Sequence, residues 1–216
     1  MTSPQSTPDF AAAPPRRDFG PLRRPGGRSA QVRRRVLDAV RVQLVEHGYD
    51  ALSVDAVADR SGVHRTTIYR RWRDVGGLLA DVLAEATGDD WAPPDTGSLE
   101  GDLRAVNREV YAALAADPPI TTALIAASFR SEQAAQALQD FWADRYDRCS
   151  VIVQRAVKRG EISDGTHPRR LLIAATAPLY HEMVLLRAMP DGQLADQSAS
   201  DTAFAARAGA FVTFVA

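Results

Sequence analysis

The side chains with the clearest chemical potential lie together in the stretch GVHRTTIYRRW, between Gly62 and Trp72. If this stretch is helical, Val63, Ile68 and Trp72 turn inward as its apolar side. The remaining faces then carry imidazole, hydroxyl, phenol and guanidinium groups: His64, Arg65, Thr66, Thr67, Tyr69, Arg70 and Arg71. Such groups on an exposed helix suit hydrogen bonds to base edges and contacts with phosphates. The stretch therefore predicts a surface that contacts duplex nucleic acid.

A second short helix is predicted just before this one, with a sharp corner between the two. Ser53 is a suitable N-cap, because its hydroxyl can accept a hydrogen bond from a backbone N–H of the first turn. Ala58, Gly62 and Ile68 supply a small residue at the crossing, a glycine in the turn and a branched residue that holds the second helix down. This order predicts a helix-turn-helix. An ordinary αα-corner with a solvated basic face is the alternative.

The predicted helix-turn-helix divides its polar side chains into two roles. Thr67, Tyr69 and Arg71 are expected to hold the second helix on phosphates, and Ser53 adds a contact from the N-terminus of the first helix. The groups expected to reach base edges are His64, Arg65, Thr66 and Arg70.

The stretch GVHRTTIYRRW, preceded by SVDAVADRS and by a helix ending EHGYDAL, resembles the DNA-binding domain of the tetracycline-repressor (TetR) family over residues 31–83. The resemblance implies an all-α protein of about nine helices, in which a larger C-terminal domain binds a ligand and dimerises. One departure is plain, since the family usually has a lysine at the start of its fourth helix and this chain reads WRDVGG. Arg73 or backbone N–H groups must therefore make that phosphate contact.

Charge is distributed unevenly along the 216 residues, although the formal net charge is only −1. Up to Arg73 there are fourteen arginines and seven acidic residues, which gives +7 and leaves −8 for the rest. A basic N-terminal part on an acidic body is typical of a DNA-binding protein with a separate second domain. No sustained alternation of β-branched and polar residues predicts a strand, so the expected fold class is all-α.

Several functional classes find no support in the sequence. Cys149 is the only cysteine, which excludes an intrachain disulfide and a cysteine-based zinc site, and the four histidines lack ligand spacing. We therefore expect no metal and no cofactor. No phosphate loop or nucleophile elbow is present, so we do not expect an enzyme. No apolar run is long enough to span a membrane and no signal peptide is evident, which favours a cytoplasmic protein.

Three segments are predicted from composition and periodicity. Residues 1–28 are rich in proline, serine, alanine and arginine and are expected to be a disordered basic tail, which either enters the minor groove or is simply solvated. Residues 29–87 form the DNA-binding domain with a linking fourth helix, and residues 88–216 form the ligand-binding and dimerisation domain. Outside the helix-turn-helix, which supplies helices 2 and 3, helix 1 is predicted over 29–47 and helix 4 after Asp74. Helices 5 to 9 are predicted over 99–114, 120–129, 132–159, 168–188 and 201–215.

Two features of these helices cost stability and require a reason. Gly76 and Gly77 open the fourth helix at roughly 1 kcal/mol each relative to alanine. A close backbone approach to a phosphate, or a soft joint between the domains, would explain them. Pro178 lies inside the eighth helix, where a proline costs about 3 kcal/mol and introduces a kink.

The C-terminal helices carry the dimer and ligand predictions. Helices 8 and 9 are expected to form a homodimer through a four-helix bundle, and the alternative is that both only complete the monomer core. Side chains that could line a pocket are Tyr111, Phe129, Trp142, Tyr146, Tyr180, His181 and Arg187, together with Phe141 and Met183. For each aromatic residue taken alone, core packing is the stronger interpretation. His181 and Arg187 are of most interest because a buried polar group needs a partner.

These patterns favour a ligand-responsive one-component transcriptional regulator, most often a repressor in the resembled family. It would bind a palindromic operator as a dimer and respond to an unidentified small-molecule effector. The alternative is a helix-turn-helix protein without an inducer that recruits a protein partner. Thermal-shift screening against small hydrophobic compounds would distinguish the two.

Overall fold

A computed structural model of the chain describes residues 27–87 and 91–213. Within these ranges the protein is helical, with a single isolated β-bridge between Thr166 and Val212. The helices are α1 Gly27–Ala51, α2 Val54–Ser61, α3 Arg65–Trp72, α4 Val75–Thr87, α5 Leu99–Leu114, α6 Ile120–Ser128, α7 Glu132–Lys158, α8 Pro168–Tyr180 and α9 Gln193–Arg207. A π-helical turn, His181–Leu185, follows α8 directly. The all-α expectation is confirmed.

The N-terminal helices begin and end close to the positions that their sequence predicts. Helix α1 starts two residues before the expected position, at Gly27, and most of the predicted basic tail lies outside the described residues. Gly48 interrupts the helical geometry of α1 with φ of 74°, which is the break expected there. The first three helices close over a shared apolar core that includes Val36, Leu37, Val57 and Ile68.

Helix α4 is fastened to α1 and α3 through the carboxylate of Asp81. Arg33 of α1 donates to both of its oxygens, at 3.0 and 2.9 Å, and the indole Nε1 of Trp72 in α3 donates at 2.7 Å. One turn later, Glu85 accepts from Arg33 at 3.1 Å and also binds Arg41. Charge-assisted bonds of this kind are about twice as strong as neutral ones. They hold α4 in a defined orientation beneath the helix-turn-helix.

We expect this junction to weaken in acid. Burial raises the pKa of the Asp81 carboxyl, but hydrogen bonds from Arg33 and Trp72 outweigh burial and leave the pKa below its ordinary value. A carboxyl with a lowered folded-state pKa contributes stability above its unfolded pKa of about 3.9, and this contribution is lost as pH falls through the folded-state pKa.

The measurement that checks this expectation is urea unfolding of the wild-type protein and of Asp81→Asn between about pH 7 and pH 3. The two proteins should differ most at neutral pH, and the difference should begin to shrink as pH falls below about 4. Asp38→Asn is a suitable control, because that exposed carboxylate pairs with Arg41 on its own helix and not with α3 or α4. An Asp81→Asn difference that stays constant over the pH range would contradict the assignment.

Helices α6 and α7 extend the first core into the C-terminal part of the chain. Ala127 of α6 and Ala134 of α7 belong to the same buried cluster as the helix-turn-helix. Helix α7 packs along α4, and its Gln133 occupies the space above Gly76, where a Cβ atom would lie 1.7 Å from the Gln133 Oε1 atom. Gly77 likewise lets the Trp72 carbonyl oxygen approach to 2.1 Å of where a Cβ would lie. Close packing within the protein is thus sufficient to explain both glycines.

A second core joins α5, α7, α8 and α9. Within it the side-chain amide of Asn107 in α5 is fully enclosed and donates to the carbonyl oxygens of Ala175 in α8, at 2.8 Å, and Ala195 in α9, at 3.0 Å. Helix α9 meets this core with small side chains: Ala195, Ser198, Ala199, Thr202, Ala203 and Ala206. Small residues allow the helix backbones to approach closely, so α9 contributes to the monomer core.

Two of the predicted helix ranges are wrong. Helix 8 was expected to reach residue 188, but α-helical geometry ends at Tyr180, two residues after Pro178, and a π turn closes with a bond from Leu186 N–H to the His181 carbonyl oxygen. Helix 9 was expected over 201–215 but spans Gln193–Arg207. Gly209, with φ of 83°, lies just beyond its end, and Val212 then pairs with Thr166 in the bridge.

Candidate nucleic-acid interface and internal cavity

The helix-turn-helix is capped at every turn by the residues that its sequence offers. The Ser53 hydroxyl accepts from the Ala56 N–H at 3.1 Å, which confirms the predicted N-cap of α2. Gly62 ends α2 in the left-handed conformation, with φ of 63°. His64 caps α3, and the Asp74 carboxylate caps α4 by accepting from the Gly77 N–H at 2.9 Å. These caps fix the directions in which α2, α3 and α4 leave the turns.

Helix α3 is anchored by its apolar residues and presents its polar residues to solvent. Val63, Ile68 and Trp72 are buried, whereas Thr67 is half-buried. The other predicted contact residues of α3 and its N-cap are exposed: His64, Arg65, Thr66, Tyr69, Arg70 and Arg71. Ser53, at the N-terminus of α2, is exposed as well. The structure therefore brings all eight predicted residues to one helix-turn-helix unit.

Three exposed guanidinium groups near this surface have different surroundings. Arg65 forms an ion pair with Asp55 of α2 at 3.3 Å, and both side chains are more than 60% exposed, so the pair is worth little and breaks easily. Arg71 donates to the Ser29 hydroxyl at the start of α1, at 3.2 Å, and lies over the Trp72 ring. Arg73, which follows α3 with φ of 65°, is exposed and available in place of the missing lysine.

A cavity of about 280 Å³ lies between α5, α7 and α8. Its walls are mainly aromatic, and Trp142 stands at their centre with its ring edge-to-face with Phe141 and Tyr180, at centroid distances of 5.1 and 5.4 Å. The Tyr146 ring lies 5.9 Å from that of Trp142. Cys149 also lines the cavity, and burial raises the pKa of its thiol to about 11, so the group is a protonated wall residue.

Four of the seven predicted pocket residues lie outside the lining of this cavity. Phe129 follows the last turn of α6 and is 80% exposed. His181 is exposed at the start of the π turn, and Arg187 lies beyond that turn with φ of 54°. Tyr111 packs beside the cavity, and its hydroxyl is committed to the Pro190 carbonyl oxygen at 2.8 Å. Met183, also suggested for the pocket, is buried in the same neighbouring cluster as Tyr111.

Trp142, Tyr146 and Tyr180 do line the cavity, with Phe141, and further lining residues were not anticipated. Trp91 closes one side, where its indole Nε1 donates to Glu109 at 2.8 Å and its ring lies 4.4 Å from the Arg145 guanidinium. Thr176 of α8 contributes a hydroxyl. Glu109 lies on α5, Arg145 lies on α7 and Trp91 lies in the connection before α5, so only the folded arrangement brings them to the aromatic wall.

An exposed helix-turn-helix joined to a helical body with an internal cavity defines a class of protein, the one-component DNA-binding regulators. Comparison with known families agrees with this class. Residues 36–82 match the model described as bacterial regulatory proteins of the tetR family, and residues 93–202 match that of the tetracyclin repressor-like C-terminal domain. The chain belongs to the TetR family of transcriptional regulators.

Individual relatives support the assignment. The chain is 35% identical over 157 residues to the HTH-type transcriptional regulator AqdR of Rhodococcus erythropolis, covering 71% of this chain and 74% of the relative. It is 32% identical over 174 residues to the DNA-binding transcriptional repressor TetR of Mycobacteroides abscessus, covering 77% of this chain and 91% of that protein.

Solved structures agree on the fold. A transcriptional regulator from Pseudomonas aeruginosa PAO1 matches with a TM-score of 0.65 at 19% identity, over 85% of this chain and 93% of that one. Among the described residues of this protein, no helix combines the length and apolar character needed to cross a bilayer.

Proposed function

We propose that the protein binds a palindromic operator as a homodimer and releases it when a small molecule occupies the cavity. The observation that carries the DNA-binding part is the orientation of α3, whose apolar anchors Ile68 and Trp72 are buried while its polar residues face solvent. This is the arrangement that a helix needs to enter the major groove.

Within α3 we assign base contacts to the residues at its N-terminal end. His64, Arg65 and Thr66 are exposed at the end that a recognition helix inserts most deeply, and Arg70 lies further along the helix. Thr67, Tyr69, Arg71 and Ser53 are assigned to phosphates. The weak ion pair of Arg65 with Asp55 supports its role, because the guanidinium gives up little when it turns toward a base.

Replacing Arg65 by alanine should relax specificity at one base pair and weaken binding by about 1–3 kcal/mol, since a bidentate arginine–guanine contact contributes about that much discrimination. The measurement is binding to a set of operators mutated at single positions. Arg108→Ala, which removes an equally exposed arginine with an acidic partner in the body, is the control and should change nothing. If Arg65→Ala weakens all sequences equally, Arg65 contacts a phosphate.

We assign dimerisation to α8 and α9, because both helices leave apolar side chains exposed. Phe204 of α9 is 74% exposed although the opposite face of that helix is buried, and Ile173 of α8 is 41% exposed. The π turn after α8 adds Leu185, which is 69% exposed. A dimer would bury these residues and hold two copies of α3 about 34 Å apart, as successive major grooves require.

Helix α7 provides a direct mechanical connection between the cavity and the DNA-binding helices. The middle of α7 contributes Trp142 and Tyr146 to the cavity wall. Gln133, in its first turn, packs against Gly76, and its side-chain amide donates to the Asp74 carboxylate at 3.3 Å. Asp74 caps α4 directly after α3. A ligand that binds better when α7 is displaced would therefore change the spacing of the two α3 helices, by as much as its affinities for the two states differ.

The experiment that tests the proposed function is selection of bound DNA from a random duplex pool by the purified full-length protein. Recovery of a palindrome with half-sites about one helical turn apart is the expected result. A recovered sequence without two-fold symmetry would contradict the dimer, and absence of any enrichment at low salt would contradict DNA recognition.

A further inference from the structure

The cavity has an aromatic lining with balanced charges. Five rings contribute to its wall, from Trp91, Phe141, Trp142, Tyr146 and Tyr180. Among the described residues of the wall, one is acidic and one is basic, Glu109 and Arg145. Both of them contact Trp91, through the indole hydrogen bond and through stacking. A charged ligand would thus lose hydration without meeting an excess of opposite charge, so the lining favours an uncharged molecule.

Among the polar groups of the wall, the hydroxyl of Tyr180 has the clearest capacity for a new partner. It forms no hydrogen bond to any residue in 27–87 or 91–213. The Tyr111 hydroxyl, by contrast, is bound to Pro190 outside the cavity. Burial raises the pKa of Tyr180, so its hydroxyl stays protonated and donates at neutral pH. Because Tyr180 lines the cavity and its hydroxyl has no protein partner in the described residues, an oxygen atom of a bound ligand can become that partner.

We propose that the effector is an uncharged, flat aromatic compound that lies against Trp142 and accepts a hydrogen bond from Tyr180 through a hydroxyl or carbonyl oxygen. This inference rests on the proposed effector-binding function and names its ligand class. The volume of about 280 Å³ lies at the lower end of typical ligand sites, which suits a compact compound of two or three rings. Aromatic rings in edge or offset contact gain affinity beyond the area that they bury.

The test uses calorimetric titration of the full-length protein with four probes: 2-naphthol, 2-methylnaphthalene, 2-naphthoate and 1-decanol. We expect 2-naphthol to bind at least about ten-fold more tightly than the anionic naphthoate or the aliphatic decanol. The Tyr180→Phe variant should weaken 2-naphthol about three- to ten-fold, the usual effect of one neutral hydrogen bond, and leave 2-methylnaphthalene unchanged. The Tyr111→Phe variant makes the same chemical change outside the cavity and should alter neither affinity.

Each contrary result overturns a defined part of the inference. Equal or tighter binding of decanol removes the aromatic class, and equal or tighter binding of naphthoate removes the uncharged class. If Tyr180→Phe weakens the binding of 2-naphthol and of 2-methylnaphthalene to the same extent, or weakens neither, the proposed hydrogen bond is contradicted. No binding of 2-naphthol to the wild-type protein overturns the proposal as a whole. Operator binding by the same protein without any probe is measured in parallel, so that a failure of the ligand class is distinguished from a failure of DNA recognition.

Discussion

Replacing Gly77 by alanine is expected to destabilise the DNA-binding helices by about 2 kcal/mol and to weaken operator binding with it. A Cβ at this position would lie 2.1 Å from the Trp72 carbonyl oxygen, far inside van der Waals contact. The obstructing atom belongs to the backbone that joins α3 to α4, so it cannot rotate away. Overpacking of this kind typically costs about 1–3 kcal/mol or more, and the better helix propensity of alanine offsets at most about 1 kcal/mol.

The control is the neighbouring substitution Gly76→Ala. Its Cβ would lie 1.7 Å from the Gln133 Oε1 atom and 2.9 Å from the Gln133 Cβ atom. The amide end can move to another rotamer, so only the contact with the Gln133 Cβ requires a small shift of α7 against α4. We therefore expect Gly76→Ala to lower the free energy of unfolding by about 1 kcal/mol, less than Gly77→Ala does. Urea unfolding and operator titration of both variants check the pair. Equal effects of the two substitutions would contradict the clash with the Trp72 carbonyl as the cause of the destabilisation. A loss of DNA affinity without a loss of stability would instead support a close approach of this backbone to a DNA phosphate.

Replacing Phe204 by aspartate is expected to convert the dimer to monomers and to lower operator affinity by at least about 100-fold. The side chain is 74% exposed in the monomer, so the substitution should leave the fold of each chain intact. In the proposed dimer the same position is buried, where an unpaired carboxylate is strongly unfavourable. Operator affinity then falls, because two linked recognition helices bind about 10²–10⁴-fold more tightly than one. The gain comes from the effective concentration of the second helix once the first is bound.

Phe129→Asp is the matched control for this substitution. Phe129 is 80% exposed directly after α6 and belongs to neither helix assigned to the interface, so the same chemical change should affect neither assembly nor operator binding. Sedimentation velocity gives the assembly state of both variants, and circular dichroism confirms their folding. A Phe204→Asp protein that remains dimeric would place the interface elsewhere. Monomers that bind the operator with unchanged affinity would remove the need for a dimer.

The helix-turn-helix was predicted from sequence in detail because its determinants are local. Ser53, Gly62 and Asp74 act on the backbone within a few residues of themselves, and each caps a helix end in the structure. Ile68 and Trp72 recur at helical spacing and are buried as expected. A short segment whose caps and apolar positions agree leaves few alternative arrangements.

The range of α9 shows where periodicity misleads. Phe204, Phe211 and Val212 share an apparent apolar face, but the helix ends at Arg207 and Phe204 faces solvent. The face that packs consists of alanine, serine and threonine, which hydrophobicity does not mark. Burial of these side chains depends on the close approach of α5 and α8, and that approach is a property of the assembled core.

The sequence by itself determined the all-helical class, the helix-turn-helix and the face of α3 that meets solvent, because capping and helical spacing act over one or two turns. Only the tertiary structure decided which aromatic residues surround the cavity, that Trp91 closes it, and that His181 and Arg187 lie outside it. Those outcomes depend on contacts between residues up to about ninety positions apart, such as Trp91 with Arg145 or Asn107 with Ala195. No local pattern specifies such contacts, since they follow from how whole helices pack.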